Sequence, residues 1–385
     1  MQVVVIDNET ALAPHLPAWE ELAIACGRPF CLPGWMLAWW REAEEATGEL
    51  RVILVFDGEE LVGVGPFFAK PTFGLIEVRL LGAGFSHRIG PLARPGNEQR
   101  VADALAGALA TLQPRPASVV FEGVDLGDRW PARIADAWPG REPRIRQDAT
   151  MDAPLIELGG NYETWLGRRS KNFRKSNRRR VNRLEEAGVR ARTANDPAAI
   201  ESLLSLHHAR WRERGGSGLD AGAERVLRAA AKELAERDLL EVVLLESPEG
   251  PISSELMVRA GQCATLWSGG FDPAWSSLAP GTNSILAALR EAADHEVQTV
   301  DLGGGNDEYK RKLADENSPI TWQTIFPRGA RYPLIRLWLA PKHARHALRR
   351  LAQRLPDPLR QMAKRLKRGN LLHSIAPLAL MPPPV

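Results

Sequence analysis

Hydrophobic and polar positions along this chain follow the same order twice. In the first round a helix rich in Trp is predicted over Trp35 to Glu45, followed by two strand-like runs, Arg51 to Phe56 and Leu61 to Phe68, around the turn pair Asp57-Gly58. In the second a helix over Ile200 to Arg214 precedes strands over Leu239 to Glu246 and Ile252 to Ala260, joined by Pro248-Glu249-Gly250. Strand pairs interleaved with helices predict an α/β (α+β) protein with mixed, mostly antiparallel sheets, not a doubly wound parallel sheet. The Pro-, Gly- and Arg-rich stretch Pro139 to Asp152 marks a boundary, giving domains over 1–150 and 151–330. One large sheet crossing both halves is the alternative.

Charge changes the picture at two places. Nine basic residues lie between Arg168 and Arg183, with no acid until Glu185, while Leu166, Phe173 and Leu184 share one narrow stripe. This predicts an amphipathic helix resting on a thin seam, its cations being a solvated face, a surface for phosphates of a cofactor or anionic acceptor, or an RNA contact. Beyond Arg331, residues Arg336 to Arg368 hold eleven Lys and Arg against the single acid Asp357, and Pro356 and Pro358 divide them into two short helices. Such a basic amphipathic extension over 331–385 docks on the domain, lies on an anionic membrane surface, or frays. Up to Gly160 there are 14 Lys and Arg against 22 Asp and Glu, so the net +3 of the 385 residues conceals an acidic first half and a basic remainder. The second half is therefore the one suited to anions.

Composition is that of an ordinary globular protein, 44% hydrophobic and 25% charged. No apolar run reaches the ~18 residues of a bilayer span, and the start MQVVVIDNET has no signal-peptide pattern, which predicts a cytoplasmic protein, peripheral to the membrane only if the extension docks there. Three scattered cysteines, Cys26, Cys31 and Cys263, argue against a disulfide framework, and no His/Cys/Asp cluster suggests a metal.

The stretch Ser268 to Leu313, SGGFDPAWSSLAPGTNSILAALREAADHEVQTVDLGGGNDEYKRKL, carries the candidate chemistry. A strand over Cys263 to Gly270, turn chemistry over Asp272 to Gly281 and a helix over Thr282 to Ala293 place unpaired N–H groups of Gly281, Thr282, Asn283 and Ser284 at a helix start. Such a start seats a pyrophosphate, and Arg210 or Arg214 could reach its phosphates. The next strand, Val297 to Leu302, delivers Asp301, and Tyr309 and Lys310 open another helix. Glu255, in the otherwise apolar SSELMVRA, is a base candidate if buried and a solvent-facing residue otherwise; Asp301 is the second candidate base. No Ser-His-Asp or Cys-His order suggests a covalent acyl-enzyme.

Three segments together, LSLHHARW (Leu204 to Trp211), SGGFDPAWSSLAPG (Ser268 to Gly281) and DLGGGNDEYK (Asp301 to Lys310), resemble the BioF2-like branch of the GCN5-related N-acetyltransferases (GNAT), which includes proteins associated with cellulose and exopolysaccharide biosynthesis. RPFCLPGWMLAWW (Arg28 to Trp40) and ELVGVGPFF (Glu60 to Phe68) extend the likeness into the first half. The resemblance implies tandem GNAT-like domains and an acyl-CoA-dependent acyltransferase. Its cosubstrate would be acetyl-CoA or another acyl-CoA, and its acceptor an amine on an amino sugar or cell-envelope intermediate. It implies His207 as an orienting residue or base and Tyr309 as the acid that protonates the departing thiolate; read from the residues alone, a helical His beside apolar neighbours is a structural residue, and Lys310 is a partner of a phosphate or of Asp301, or a plain surface residue. It also implies an acid around Ser86 to Gly90, where this chain reads SHRIG. Fem-type transferases, which share the tandem architecture and use charged tRNA, are the alternative enzyme reading; a non-catalytic module binding a synthase or membrane is the alternative outside enzymes.

Overall fold

The computed structural model describes residues 1–72, 74–212, 219–329 and 332. Residues 1–327 form one compact unit, and the expected extension over 331–385, with the membrane contact through 336–368, lies outside the described residues apart from Tyr332. The first sheet takes β1 (Gln2–Ile6), β2 (Glu49–Asp57), β3 (Glu60–Thr72), β4 (Leu75–Leu80), β5 (Leu92–Ala93), β6 (Ser118–Asp125) and β7 (Arg144–Met151). The second takes β8 (Pro154–Glu157), β9 (Arg190–Ala194), β10 (Leu240–Ser247), β11 (Gly250–Ala260), β12 (Cys263–Phe271), β13 (Thr299–Asp301) and β14 (Glu316–Asn317). The last strand, β15 (Ile320–Phe326), returns to the first sheet.

Strand order is β1-β2-β3-β4-β6-β15-β7 in one sheet, with β5 on β3, and β14-β8-β13-β12-β11-β10-β9 in the other. Each sheet is antiparallel except for one parallel pair, β4 with β6 and β12 with β13. The repeat read from the sequence is thus a repeat of topology: a meander of three long strands followed by a crossover to a parallel neighbour. Two-residue turns close both central hairpins, Asp57 facing Glu60 and Ser247 facing Gly250, with Gly58 at φ +63° where an L side chain is disfavoured. The helices are α1 (Glu9–Leu12), α2 (Leu16–Ala25), α3 (Pro33–Glu42), α4 (Glu98–Thr111) and α5 (Trp130–Asp136) in the first half. The second half adds α6 (Tyr162–Gly167), α7 (Lys171–Glu186), α8 (Pro197–Trp211), α9 (Ala221–Ala235), α10 (Pro280–Asp294) and α11 (Glu308–Leu313). β2, β3, β10 and β11 are buried on both faces over most of their length, which is why these strands read as nearly unbroken apolar runs.

The stretch Pro139 to Asp152, expected as a boundary, carries strand β7 of the first sheet, and β8 of the second sheet follows it within the same compact unit. Ile320–Phe326, assigned by sequence to the second half, instead inserts between β6 and β7. Chain thus crosses between the halves twice, and one core joins Trp35, Phe67 and Phe121 to Leu203, Leu227 and Leu256. Among the described residues no helix is long and apolar enough to cross a membrane.

Candidate active site

The site forms where two parallel strands part. Pairing of β12 with β13 stops at Thr265 and Asp301, so Leu266 to Phe271 run on past their last register partner. On its other edge β12 pairs with β11, and there Leu256 faces Ser268 while Met257 faces Leu266, leaving Trp267 as the extra residue of a bulge. Its indole Nε1 donates to the Phe85 carbonyl at 3.2 Å and its ring packs on Trp35 and Phe85, anchoring the bulge to the first half.

The two glycines after the bulge answer to separate neighbours. A Cβ on Gly270 would collide with the α8 backbone at Leu206 and His207, and one on Gly269 with the carboxyl of Glu255. Helix α8 can therefore lie flat on one face of β12 while Glu255, opposite Gly269 in register, turns its carboxyl into the other. Glu255 is buried and has no hydrogen-bond or ion-pair partner among the described residues. Burial pushes its carboxyl up to about 8, against the pull of Arg210 and Lys310. The solvent-facing alternative for Glu255 is thereby set aside.

Tyr309 and Lys310 of α11 approach the same point. Burial, then the charge of Glu255, raise the Tyr309 phenol well above its ordinary value, so it stays protonated. Lys310 is 6% exposed and donates to the carbonyls of Gly303 (3.3 Å) and Gly304 (2.6 Å), which ties the glycine loop to α11 rather than to a phosphate or to Asp301. Burial lowers its pKa. His207 on α8 is held neutral, burial pushing it down to about 4; Nδ1 lies 3.1 Å from Ser268 Oγ, and Nε2 has no hydrogen-bond partner among the described residues. At that value it orients Ser268 and is a poor base. Arg210 lays its guanidinium 5.3 Å from the ring centroids of both Trp211 and Phe271 and donates to the Gly269 carbonyl at 3.3 Å. Arg214 lies outside the described residues.

Two expectations need correction. Asp301 is not a free base: Oδ2 accepts from Arg88 Nε at 2.9 Å and Oδ1 from the Gly303 N–H at 2.9 Å. Nor do Asn283 and Ser284 present free groups at the helix start. Helix α10 begins two residues early, at Pro280, behind Ala279 in the left-handed region (φ +48°), and the amides of Thr282 and Asn283 both donate to the Ala279 carbonyl (3.1 and 3.2 Å). Asn283 Nδ2 turns back to Leu278 and Ala279, and Ser284 Oγ to Gly281 and Ser253. Among the described residues, the donors of this helix start left for an anion are the Gly281 N–H and the Thr282 hydroxyl, next to Ala279, whose left-handed backbone stores strain of about 1–3 kcal/mol.

Sequence reasoning passed over Arg88. The loop residue (φ +54°) pairs with Asp125 and Asp301 and donates to the carbonyls of Ala153 (3.1 Å) and Ser318 (2.7 Å), binding both sheets at the fork. Its neighbour His87 reaches the glycine loop, lying just over 3 Å from where a Gly304 Cβ would be. The signal was the SHRIG text in place of the expected acid.

On helix α7, the cations from Lys171 to Arg183 have no ion-pair partner among the described residues, and the helix rests on Phe173 and Leu184; Leu166, expected on the same stripe, belongs to the separate helix α6. The end of α7 joins a cluster with Trp275 and Leu278, in the turn that leads to α10.

No curated protein matches the chain. In fold it is similar to FemX, at 12% identity with a TM-score of 0.63, covering 88% of this chain and 99% of that one. It is also similar to a conserved protein of unknown function from Bacteroides thetaiotaomicron (10%, TM-score 0.53, covering 85% and 100%). A third likeness is to a C-terminal domain (DUF2156) assigned to a lysylphosphatidylglycerol synthetase of Agrobacterium fabrum (10%, TM-score 0.52, covering 81% and 91%). The mixed, mostly antiparallel architecture expected from the sequence is the one found. Residues 171–311, from α7 through the fork to α11, match the acetyltransferase (GNAT) domain family.

Proposed function

We propose that this protein transfers an acyl group from an acyl-CoA thioester to an amine. The observation that carries the reading is the buried Glu255, without a partner among the described residues, opposite Gly269 where β12 runs on past β13 and near enough to Tyr309 for its charge to raise the phenol. A pantetheine arm entering the fork would lie along the unpaired edge of β12, with its diphosphate toward Gly281, Thr282 and Arg210. Glu255 takes the proton that the attacking amine sheds, the carbon–sulfur bond breaks, and Tyr309 returns a proton to the thiolate. N–H groups of the unpaired β12 edge face the developing oxyanion. Lys310 and the Arg88–Asp301 pair act by holding the loop and the strand end in place. The acceptor we favour is an amino sugar or another amine-bearing cell-envelope intermediate, which rests on the likeness to exopolysaccharide-associated proteins. The cytoplasm, where acyl-CoA is found, is the compartment this chemistry requires.

A second reading has the same transfer chemistry with an aminoacyl ester of tRNA as donor. The exposed, unpaired cations of α7 favour it, because a row of such charges suits a polyphosphate backbone. The experiment that separates the two is thermal unfolding with acetyl-CoA and with charged tRNA: a ligand that binds only the folded state raises the melting temperature. A rise with acetyl-CoA supports the first reading and a salt-sensitive rise with charged tRNA alone the second. A rise with neither leaves a non-catalytic module and overturns both.

A further inference from the structure

At the far end of α10 from the fork, three potential metal ligands that are distant in sequence meet. Glu241 of β10, Glu291 of α10 and His295, which caps that helix, bring one ligand atom each within 4.8 Å of one another. His295 Nε2 lies 3.2 Å from Glu241 Oε1 and 3.5 Å from Glu291 Oε1. Ligand atoms about 2.0–2.1 Å from a tetrahedral zinc are separated by about 3.3–3.4 Å, so the two spacings that involve His295 are close to the edges of such a site, and the third lies within 4.8 Å.

Charge points the same way. Glu241 is only 7% exposed, and its second oxygen, Oε2, is buried without a hydrogen-bond partner among the described residues. A carboxylate oxygen left bare in that setting is unfavourable unless a cation completes it. Arg259 supplies part of the compensation, donating to Glu241 Oε1 at 3.0 Å, and Thr193 of β9 fixes Glu291 by donating to its Oε2 at 2.6 Å. Thr193 acts on the Glu291 carboxylate from outside, as partners of metal ligands do, whereas Arg259 shares Glu241 Oε1 with His295. The negative end of the α10 dipole adds to the attraction for a cation.

We propose that Glu241, Glu291 and His295 bind one divalent transition metal, zinc by preference, with water as the fourth ligand. The metal clamps the carboxyl end of α10 to β10 and, through Thr193, to β9. This proposal does not depend on the acyl-transfer reading and is tested without any donor. The chelator-stripped full chain, titrated with Zn2+ in a calorimeter, is expected to take up one ion and to melt at higher temperature as Zn2+ rises. His295→Ala, at an exposed position, is expected to abolish both effects, and Thr193→Val to weaken binding about 10–100-fold. Absence of stoichiometric uptake, or uptake unchanged in both His295→Ala and Glu291→Gln, would overturn the site and leave an ion-pair cluster satisfied by Arg259.

Discussion

Arg88 Nε and Asp301 Oδ2 lie 2.9 Å apart across 213 residues of chain, joining a loop of the first sheet to the strand end where the second sheet opens. Both side chains are nearly buried, at 10% and 6% exposure. Removing one member of such a pair leaves the other charge uncompensated, which costs about 3–5 kcal/mol. Arg88→Met is accordingly expected to lower unfolding stability by that amount in denaturant titration. A change below 1 kcal/mol would show that the two sheets are held at the fork by packing alone.

Glu255 links stability to pH with a definite sign. Its folded-state value of about 8 lies above the ordinary 4.5, so the neutral form stabilises the fold below about pH 4.5 and that contribution drains away as pH rises to about 8. Against Glu255→Gln, whose amide does not titrate, the wild type is expected to lose stability through this window and to run parallel above it. Parallel curves throughout would mean that the carboxyl is ionised and solvated.

Gly270 is predicted to be intolerant of any side chain, because a Cβ there meets backbone atoms of Leu206 and His207, which cannot rotate aside. Gly270→Ala should cost about 1–3 kcal/mol, typical of overpacking, measured by chemical denaturation. Gly58→Ala, with nothing near its Cβ but a positive φ, is a control for strain without collision.

Tyr309→Phe removes a proton donor and keeps the ring. We expect kcat to fall about 10²–10⁴-fold with KM for the donor little changed, measured by steady-state release of free thiol. Loss confined to KM would make the phenol a binding group.

Much of the fold was legible because local signals agreed: the hairpin turns at Gly58 and Gly250, the apolar runs of β3 and β11, and the seam of α7 all fall where periodicity places them. Return of Ile320–Phe326 to the first sheet was not, since a strand's partner across 200 residues leaves no mark on its own pattern. At the site, Glu255 was visible as an acid in an apolar strand. Asp301 looked equally apt until Arg88, far away in sequence, was seen to neutralise it. Asn283 and Ser284 misled for a local reason: Pro280 and the left-handed Ala279 start the helix early, so its hydrogen-bond ladder has closed by the time those residues are reached.

If Glu255 accepts a proton during acyl transfer at the fork, its titration governs the pH profile of amine-dependent thiol release from acetyl-CoA, measured for the wild type and for Glu255→Gln. The wild-type rate is expected to climb through about pH 8, and the variant to be slower by about 10²–10⁴ with the climb abolished. A variant as fast as the wild type, with the same pH profile, would contradict it.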